Sequence, residues 1–411
     1  MSNLIKTDIA ILGGGASGIA AAIAAKRTNA NIEVVIAERL DKTGRKLLAT
    51  GNGRCNLTNK SLSAANYRGS VANIMEIITE TGDTTEFFRS LGVVCTADSE
   101  GRVYPYSRTA GTVLSALRLE LERLGITEHC GFRASGVEKT DGGFRVRSEN
   151  GDIIECRRLI AACGGYAAPI YGTDGSAARM FRDMGFSVSK ICPSVAPLRV
   201  NPEQLKGLKG VRARGRVTAA ADGKPLRTEE GEIQFTENSL SGICVFNLAY
   251  LFSKYEGRLT LRVDLMPELS RQETAELISD LCGQRRENNL EELLTGVFAR
   301  NLAVYLVKRA LNRPLTESAA LKQGEIQALA SLIKSLEFTV TGCSSWQNAQ
   351  VTSGGISGSC VDKQLQSKQY KGLYFVGELL DVDGDCGGYN LEWAWSSGAW
   401  AGKHCAISLN K

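Results

Sequence analysis

The sequence predicts an α/β protein with a Rossmann-like βαβ unit at its N-terminus, and three observations carry that expectation. The first is a short apolar strand, with Ile9, Ile11 and Leu12, that runs directly into Gly13-x-Gly15-x-x-Gly18. The second is an alanine-rich helix behind those glycines, with Ala16 and Ser17 in its first turn, followed by an apolar strand from Ile32 to Ala37. The third is the acid Glu38 at the end of that strand, about twenty residues past the last glycine. Each glycine has an expected task. Gly13 permits the tight turn, Gly15 lets a pyrophosphate approach the backbone, and Gly18 lets helix and strand pack closely. The helix start offers free N–H groups and partial positive charge to phosphates. Glu38 is expected to accept from ribose hydroxyls, and Arg39 beside it joins the candidate cofactor set.

A secretory signal is the alternative for this stretch, since Lys6, an apolar run and an Ala-x-Ala segment precede Lys26. Asp8 and the triple glycine inside the supposed apolar core argue against it. The N-terminus is therefore expected to be mature and folded.

At 411 residues the chain has room for two or three domains, or for one large domain with an insertion. Apolar content of 43% and charged content of 23% are those of a globular protein. No apolar run reaches the length of a membrane span, so a cytoplasmic protein without a membrane partner is expected. The 12 cysteines are scattered singly, which gives neither a zinc pattern nor a disulfide framework. Two histidines, His129 and His404, exclude His-rich metal sites and argue against a Ser-His-Asp triad. If the chain is an enzyme, a cofactor carries the chemistry.

Net charge is +5, mostly interspersed. Lys206, Lys209, Arg212, Arg214 and Arg216 form the one local concentration, and the alternation from Val211 to Val217 predicts a strand with one basic face. A solvated face is the expected reading, an anionic or nucleic-acid contact the alternative.

After Glu38 the polar, glycine-rich loop Thr43 to Asn59 follows, with Arg45, Lys46, Gly53, Arg54, Cys55 and Asn56 as candidates to lie along an anionic cofactor. Residues 73–91 and 109–124 read as helices. Strands are expected around 133–139, 144–148 and 153–162, with Asp141-Gly142-Gly143 and Asn150-Gly151 as turns. The last strand ends on Gly164-Gly165, a second place where backbone comes close to something, and a helix follows through Met180 and Met184. From Pro193 to about Pro267 short strands dominate, and Ser270 with Glu273 marks the start of a helical stretch. Leucines at helical spacing from Leu290 to Leu311 predict one amphipathic helix used for packing, and Pro314 ends it. A further helix spans about 325–336, and Phe338-Thr339-Val340 returns as a strand. The final apolar strand, Leu373 to Val376, ends on Gly377-Glu378. Asp381, Asp383 and Asp385, Gly387-Gly388-Tyr389-Asn390 and a helix from Leu391 to about Ala406 complete the chain. The three aspartates lack the rest of a calcium-loop pattern, so no metal is expected.

With these segments assembled, the sequence resembles the bacterial NAD(P)/FAD-dependent oxidoreductase family that includes 3-dehydro-bile-acid 4,6-reductase and aminoacetone oxidase. The most specific matches are Gly53-Arg54-Cys55-Asn56-x-Thr58-Asn59 and Gly387-Gly388-Tyr389-Asn390. Gly13 to Gly18, Ala162 to Gly165, Pro193 to Leu198, Phe235-Thr236, Ser241-Gly242, Val351 to Gly355 and Ser367 to Gly402 extend the resemblance over most of the chain. It implies a Rossmann-like FAD-binding domain of the two-dinucleotide-binding-domain flavoprotein type. Residues 1–190 and 346–411 would form it, split by an inserted β-barrel-like plus helical substrate or cap domain over 191–345. It also implies that Glu38 holds the adenosine ribose and that backbone near Val137 contacts adenine. The Arg45 to Asn56 loop would follow the pyrophosphate and flavin, with Gly377-Glu378 and Gly387 to Asn390, including Gly388, Tyr389 and Asn390, closing on the ring; Gly164 at its strand end joins the candidate cofactor set. This chain departs from the family pattern at Asn52, where a glycine is usual, and at Cys163, where a threonine is usual. It departs again at Glu237, Ser239 and Ile243 in the insertion.

The expected function is an NADH- or NADPH-fed FAD reductase of an unsaturated, enone or steroid-like small molecule, with Tyr171 and Tyr389 as candidate acids. An amine oxidase and a flavin-containing RNA-modifying protein are the alternatives. Nucleic acid is not the expected partner, and the oligomeric state is open.

Overall fold

The sheet that carries the site starts with β1 (Leu4–Leu12) and β2 (Val34–Glu38), joined by helix α1 (Ala16–Thr28). The computed structural model describes residues 3–255 and 257–409. Ile9, Ala10 and Ile11 are fully buried, and β2 is buried along its whole length. These are the marks of strands covered on both faces. β1 pairs in parallel with β2 on one side and with Ile153–Ala161 on the other, and Thr127–Cys130 extends the sheet beyond β2. The first half of Ile153–Ala161 pairs antiparallel with Gly143–Ser148, which in turn pairs with Ala134–Thr140; its last three residues pair with Leu373–Phe375.

Register aligns the functional turns. Leu12 lies opposite Ala37 and Ala161, and Ala161 lies opposite Phe375. The four strands therefore end in line. The turns that begin at Gly13, Ala162 and Val376 leave the same carboxyl edge, where open parallel sheets bind their ligands.

The helix Tyr389–Ile407 lies against α1 through small residues. A Cβ on Gly398 would strike the Ser17 carbonyl, and one on Gly402 the Ala21 carbonyl. Glycines four residues apart on one face let the two backbones touch.

The chain forms two compact units, one up to Cys192 and again from Gln350 on, the other Pro193–Ala349. The second contains a closed barrel of strands Leu198–Val200, Arg212–Ala221, Lys224–Phe235, Ser239–Ser241, Leu259–Asp264 and Leu336–Cys343. Val217, Ile233, Phe235, Leu261 and Phe338, all at 0% exposure, fill it, so its interior is packed core. Its helices Arg271–Gln284, Arg300–Ala310 and Gln323–Lys334 follow, the first opened by the expected capping box of Ser270 and Glu273.

Two expected helices are corrected. The segment 73–91 is two helices, Ile74–Thr81 and Thr84–Ser90, because Gly82 adopts φ 96° and Asp83 caps the second, accepting from the Thr85 N–H. The run from Leu290 to Leu311 is a short turn, Leu290–Glu292, and a later helix, Arg300–Ala310. Gly296 at φ 87° turns the chain between them while Leu293 and Leu294 stay buried. The leucine spacing recorded burial correctly; the glycine set the backbone.

Candidate cofactor site

The glycine turn after β1 is shaped by what each missing Cβ would meet. One on Gly13, at φ 103°, would collide with the Ala162 carbonyl, and one on Gly18 with the Gly13 carbonyl. These positions need glycine for packing. At Gly15 a Cβ would have nothing within 4 Å, and its φ of −84° suits any residue. Its glycine therefore leaves open space at the start of α1. The first N–H to bond into the helix is that of Ile19, to the Gly15 carbonyl (2.9 Å). The amides before it, at Ala16, Ser17 and Gly18, have no helical acceptor and carry the positive end of the helix.

Glu38 is 9% exposed and fixes this turn. Its Oε2 accepts from the Gly14 N–H (2.8 Å) and its Oε1 from the Leu40 N–H (2.9 Å). A carboxylate accepts about four hydrogen bonds, so capacity remains for ribose hydroxyls. Arg39 pairs with Asp174 (2.9 Å) and donates to the Gly172 carbonyl (3.0 Å). Gly131 and Phe132 donate to the Leu40 and Glu38 carbonyls, whereas Val137 lies farther along the same segment, paired with Val146.

The loop after β2 is tightly wound. Gly51, Asn52, Gly53 and Cys55 all have positive φ, and the Cys55 N–H bonds back to the Thr50 carbonyl. Asn52 at φ 55° explains the first departure from the family pattern, because Asn tolerates the left-handed conformation that a glycine would otherwise supply. The second has a similar account: the Cys163 thiol reaches the Leu12 carbonyl at 3.4 Å, the bond a threonine hydroxyl would make. Cys55 is fully buried, and burial pushes its thiol up to about 12 against the Thr50 hydrogen bond, so it is no thiolate near neutrality. Arg45 is exposed and pairs with Asp41, and Arg54 is exposed.

Lys46 reaches across to Glu378, Nζ to Oε2 at 2.8 Å. Glu378 Oε1 accepts from the Thr352 N–H (2.8 Å), and Thr352 Oγ1 accepts from the N–H groups of Tyr166 (2.7 Å) and Ala167 (3.0 Å). One chain of bonds thus joins the Lys46 loop to the Gly377 turn and to the segment after Gly164. Gly377 is held from behind, its N–H donating to Ser397 Oγ (3.0 Å) and its carbonyl accepting from Trp393 Nε1 (3.1 Å). Thr352, Ser397 and Trp393 were missed as site residues because nothing in their spacing distinguishes them from packing.

The second glycine turn is equally constrained. Gly388, at φ 102°, caps the helix Tyr389–Ile407, and a Cβ there would strike the Thr58 carbonyl. Tyr389 is 8% exposed; its hydroxyl donates to the Ser61 carbonyl (3.3 Å) and its ring meets Tyr67 edge-on at 6.0 Å. The Asn390 amide accepts from the Gly384 N–H and donates to the Gly384 and Asp385 carbonyls, so its side chain ties its own loop together. Tyr171 follows Ile170 in the turn Pro169–Tyr171, next to Gly172, whose Cβ position abuts Leu40. Its neighbour Gly172 accepts from Arg39, the residue after Glu38, whereas Tyr389 lies against Ser61 and Tyr67. Asp383 and Asp385 are occupied by Arg68, and Asp381 accepts from Ser70 and Ser189.

The site suits FAD on two observations. The Gly15 opening and the free amides of α1 offer a pyrophosphate cradle. Asn56 Oδ1, in the loop facing Gly388, is buried without a hydrogen-bond partner among the described residues, an acceptor awaiting a donor. In the basic strand Arg212–Ala221, Arg212 pairs with Glu232 and Arg216 with Glu230 across the hairpin, which makes it a charge-compensated face. No described helix is long and apolar enough to cross a membrane.

Fold and site together define a Rossmann enzyme of the FAD-dependent oxidoreductase class. The chain belongs to the HI0933-like family, whose Rossmann-domain description matches residues 7–404. It is 36% identical, over 97% of this chain and 98% of the relative, to the 3-dehydro-bile acid delta(4,6)-reductase of Clostridium scindens. It is 26% identical to the ribosomal RNA dihydrouridine synthase of Haemophilus influenzae, over 98% of each chain. The 3-ketosteroid delta1-dehydrogenase of Sterolibacterium denitrificans shares the fold, with TM-score 0.53 and 14% identity over 98% of this chain and all of that one.

Proposed function

We propose that this protein is an FAD-dependent reductase that takes hydride from NADH or NADPH and saturates a carbon–carbon double bond conjugated to a carbonyl, in a steroid- or bile-acid-like small molecule. The observation that carries it is the 36% identity to a bile acid reductase across nearly the whole chain. When bound, FAD would supply the hydride chemistry. The chain's own residues do the holding. The amides of α1 receive the pyrophosphate, and Glu38 receives the ribose while keeping Gly14 in place. The Lys46–Glu378 pair fixes the two loops between which the ring belongs. The first turn of Tyr389–Ile407 would favour negative charge on a ring held beside it. Tyr389 acts in this reading as a packing residue, its hydroxyl spent on Ser61. Tyr171 remains a candidate proton donor.

A second reading is favoured by one observation, the 26% identity to a ribosomal RNA dihydrouridine synthase over 98% of each chain. Dihydrouridine forms by hydrogen addition across a uracil double bond that is itself conjugated to a carbonyl, so the same chemistry serves a different substrate. The paired charges on the strand Arg212–Ala221 weigh against that strand as an RNA contact. The amine oxidase reading draws no support from these relatives.

The test is anaerobic. NADH, then NADPH, is added to the purified protein and the flavin absorbance followed, after which a conjugated steroid enone is supplied. Bleaching by a nicotinamide and recovery by the enone is the expected result. An intact flavin spectrum after both donors overturns the reductase. Recovery with a uridine-containing ribosomal RNA fragment and none with enones selects the second reading.

A further inference from the structure

Glu392 lies in the first turn of the helix Tyr389–Ile407, one turn past Gly388, and is 1% exposed. Its Oε1 accepts from Thr84 Oγ1 (2.9 Å) and Ser396 Oγ (2.8 Å). Its Oε2 is buried with no hydrogen-bond partner among the described residues. The Thr58 hydroxyl also faces the carboxyl and favours its charged form. Among the described residues no ion pair is formed by Glu392. The helix Thr84–Ser90 brings Asp83 at its cap, a charge of the same sign. The strand Tyr67–Gly69 brings Tyr67, whose phenol is itself pushed up by burial and by Glu392. Arg68 on that strand is engaged with Asp383 and Asp385. The helix Ile74–Thr81 carries the acids Glu76 and Glu80, again of the same sign, and its Thr81 hydroxyl donates to the Ser396 carbonyl. Burial pushes the Glu392 carboxyl above the usual carboxylate range, and the hydroxyls of Thr58, Ser396 and Thr84 offset this only in part. The helix dipole acts in the same direction as those hydroxyls and is the weaker influence on a fully buried group.

We propose that Glu392 is a positioning residue that works as a neutral carboxylic acid, its proton on Oε2 keeping negative charge out of the helix turn that faces the flavin. This rests on the proposed FAD site. Neutral, the acid leaves the positive helix end to the ring. Losing its proton to solvent as pH rises, it becomes a buried anion beside Thr58, cancels the potential the helix offers, and lowers the flavin midpoint potential.

The test compares wild type with Glu392→Gln, which is isosteric and cannot ionise. Without cofactor, thermal unfolding is followed against pH. A folded-state acid raised above its unfolded value loses stability as pH climbs from the ordinary carboxylate range toward the raised one. Wild type should therefore melt progressively below E392Q at rising pH, the two converging in acid. Parallel melting curves overturn the neutral-acid assignment whatever FAD does. With FAD bound, the wild-type midpoint potential should track that of E392Q while the folded acid is still neutral and fall below it once pH passes the raised folded-state value, where the melting difference levels off. A constant offset with diverging melting curves overturns the link to the flavin. A protein that binds no FAD, with diverging melting curves, counts against the cofactor site and leaves the acid's neutrality supported. Infrared spectroscopy supplies the direct readout: a protonated-carboxyl band at neutral pH, absent from E392Q. Should E392Q fail to fold, Ser396→Ala removes one donor to the anion and should move the break to still higher pH; an unmoved break overturns the proposal.

Discussion

Lys46 and Glu378 lie 332 positions apart in sequence, yet Lys46 Nζ is 2.8 Å from Glu378 Oε2. Both are only about a quarter exposed or less, and Glu378 is already held by the Thr352 N–H. Lys46→Met should leave the fold intact, costing about 1 kcal/mol or less for a pair still reached by water. Flavin retention on gel filtration should nevertheless fall by about tenfold or more, some 1.4 kcal/mol. Unchanged retention would show that the two loops do not need this tie.

Gly15 and Gly18 make opposite demands, and alanine at each separates them. Gly15→Ala meets open space and should melt within about 1 °C of wild type while losing most of its flavin, because the new methyl occupies the pyrophosphate's place. Gly18→Ala collides with the Gly13 carbonyl and should destabilise the fold by about 1–3 kcal/mol in the empty protein. Equal melting losses in both would refute the cradle.

Glu38→Ala removes the acceptor of the Gly14 N–H, so it should both weaken FAD binding and cost about 1–3 kcal/mol for a buried unpaired amide. Calorimetry on protein with and without FAD separates the two effects. Full flavin occupancy in this variant would remove the ribose role.

Cys55 should resist alkylation in the native protein. Its thiol is buried and pushed up to about 12, so iodoacetamide labelling at pH 8 should be far slower there than in the unfolded chain. Peptide mass spectrometry after brief labelling gives the answer, and rapid modification would mean that the loop opens.

Replacing Arg212, Arg214 and Arg216 together by Gln breaks two exposed cross-strand pairs and should cost about 1 kcal/mol or less per pair, with the flavin retained. Binding to ribosomal RNA fragments, measured across salt, should not change; a lost salt dependence would restore this strand as an RNA contact.

Much of the sheet edge was legible because glycine spacing and strand hydrophobicity are local properties. Gly13 and Gly18 sit where close packing leaves no room for a Cβ, Glu38 ends β2 as the spacing implies, and the meander strands fall within a residue or two of expectation. Bonds between distant segments were not legible. Thr352, Ser397 and Trp393 act on Gly377 and Glu378 through contacts no spacing encodes, and Arg68 neutralises two aspartates that in sequence resemble a metal loop. Tyr389 drew notice beside a glycine pair, but the carbonyl of Ser61 that occupies its hydroxyl lies more than three hundred residues earlier. Leu290 to Leu311 misled for the converse reason: burial periodicity survives a break that a single left-handed Gly296 introduces.

The contact of Gly398 and Gly402 with the carbonyls of Ser17 and Ala21 also governs timing. The helix that opens the cofactor cradle leaves the ribosome early, while the helix that buttresses it is made hundreds of residues later, after the whole intervening barrel and its helices. During synthesis α1 must therefore wait with its contact surface uncovered. A nascent chain stalled before Tyr389 should carry a sheet edge that cannot retain flavin, so cofactor loading is tied to completion of this helix and selects chains in which both segments have met.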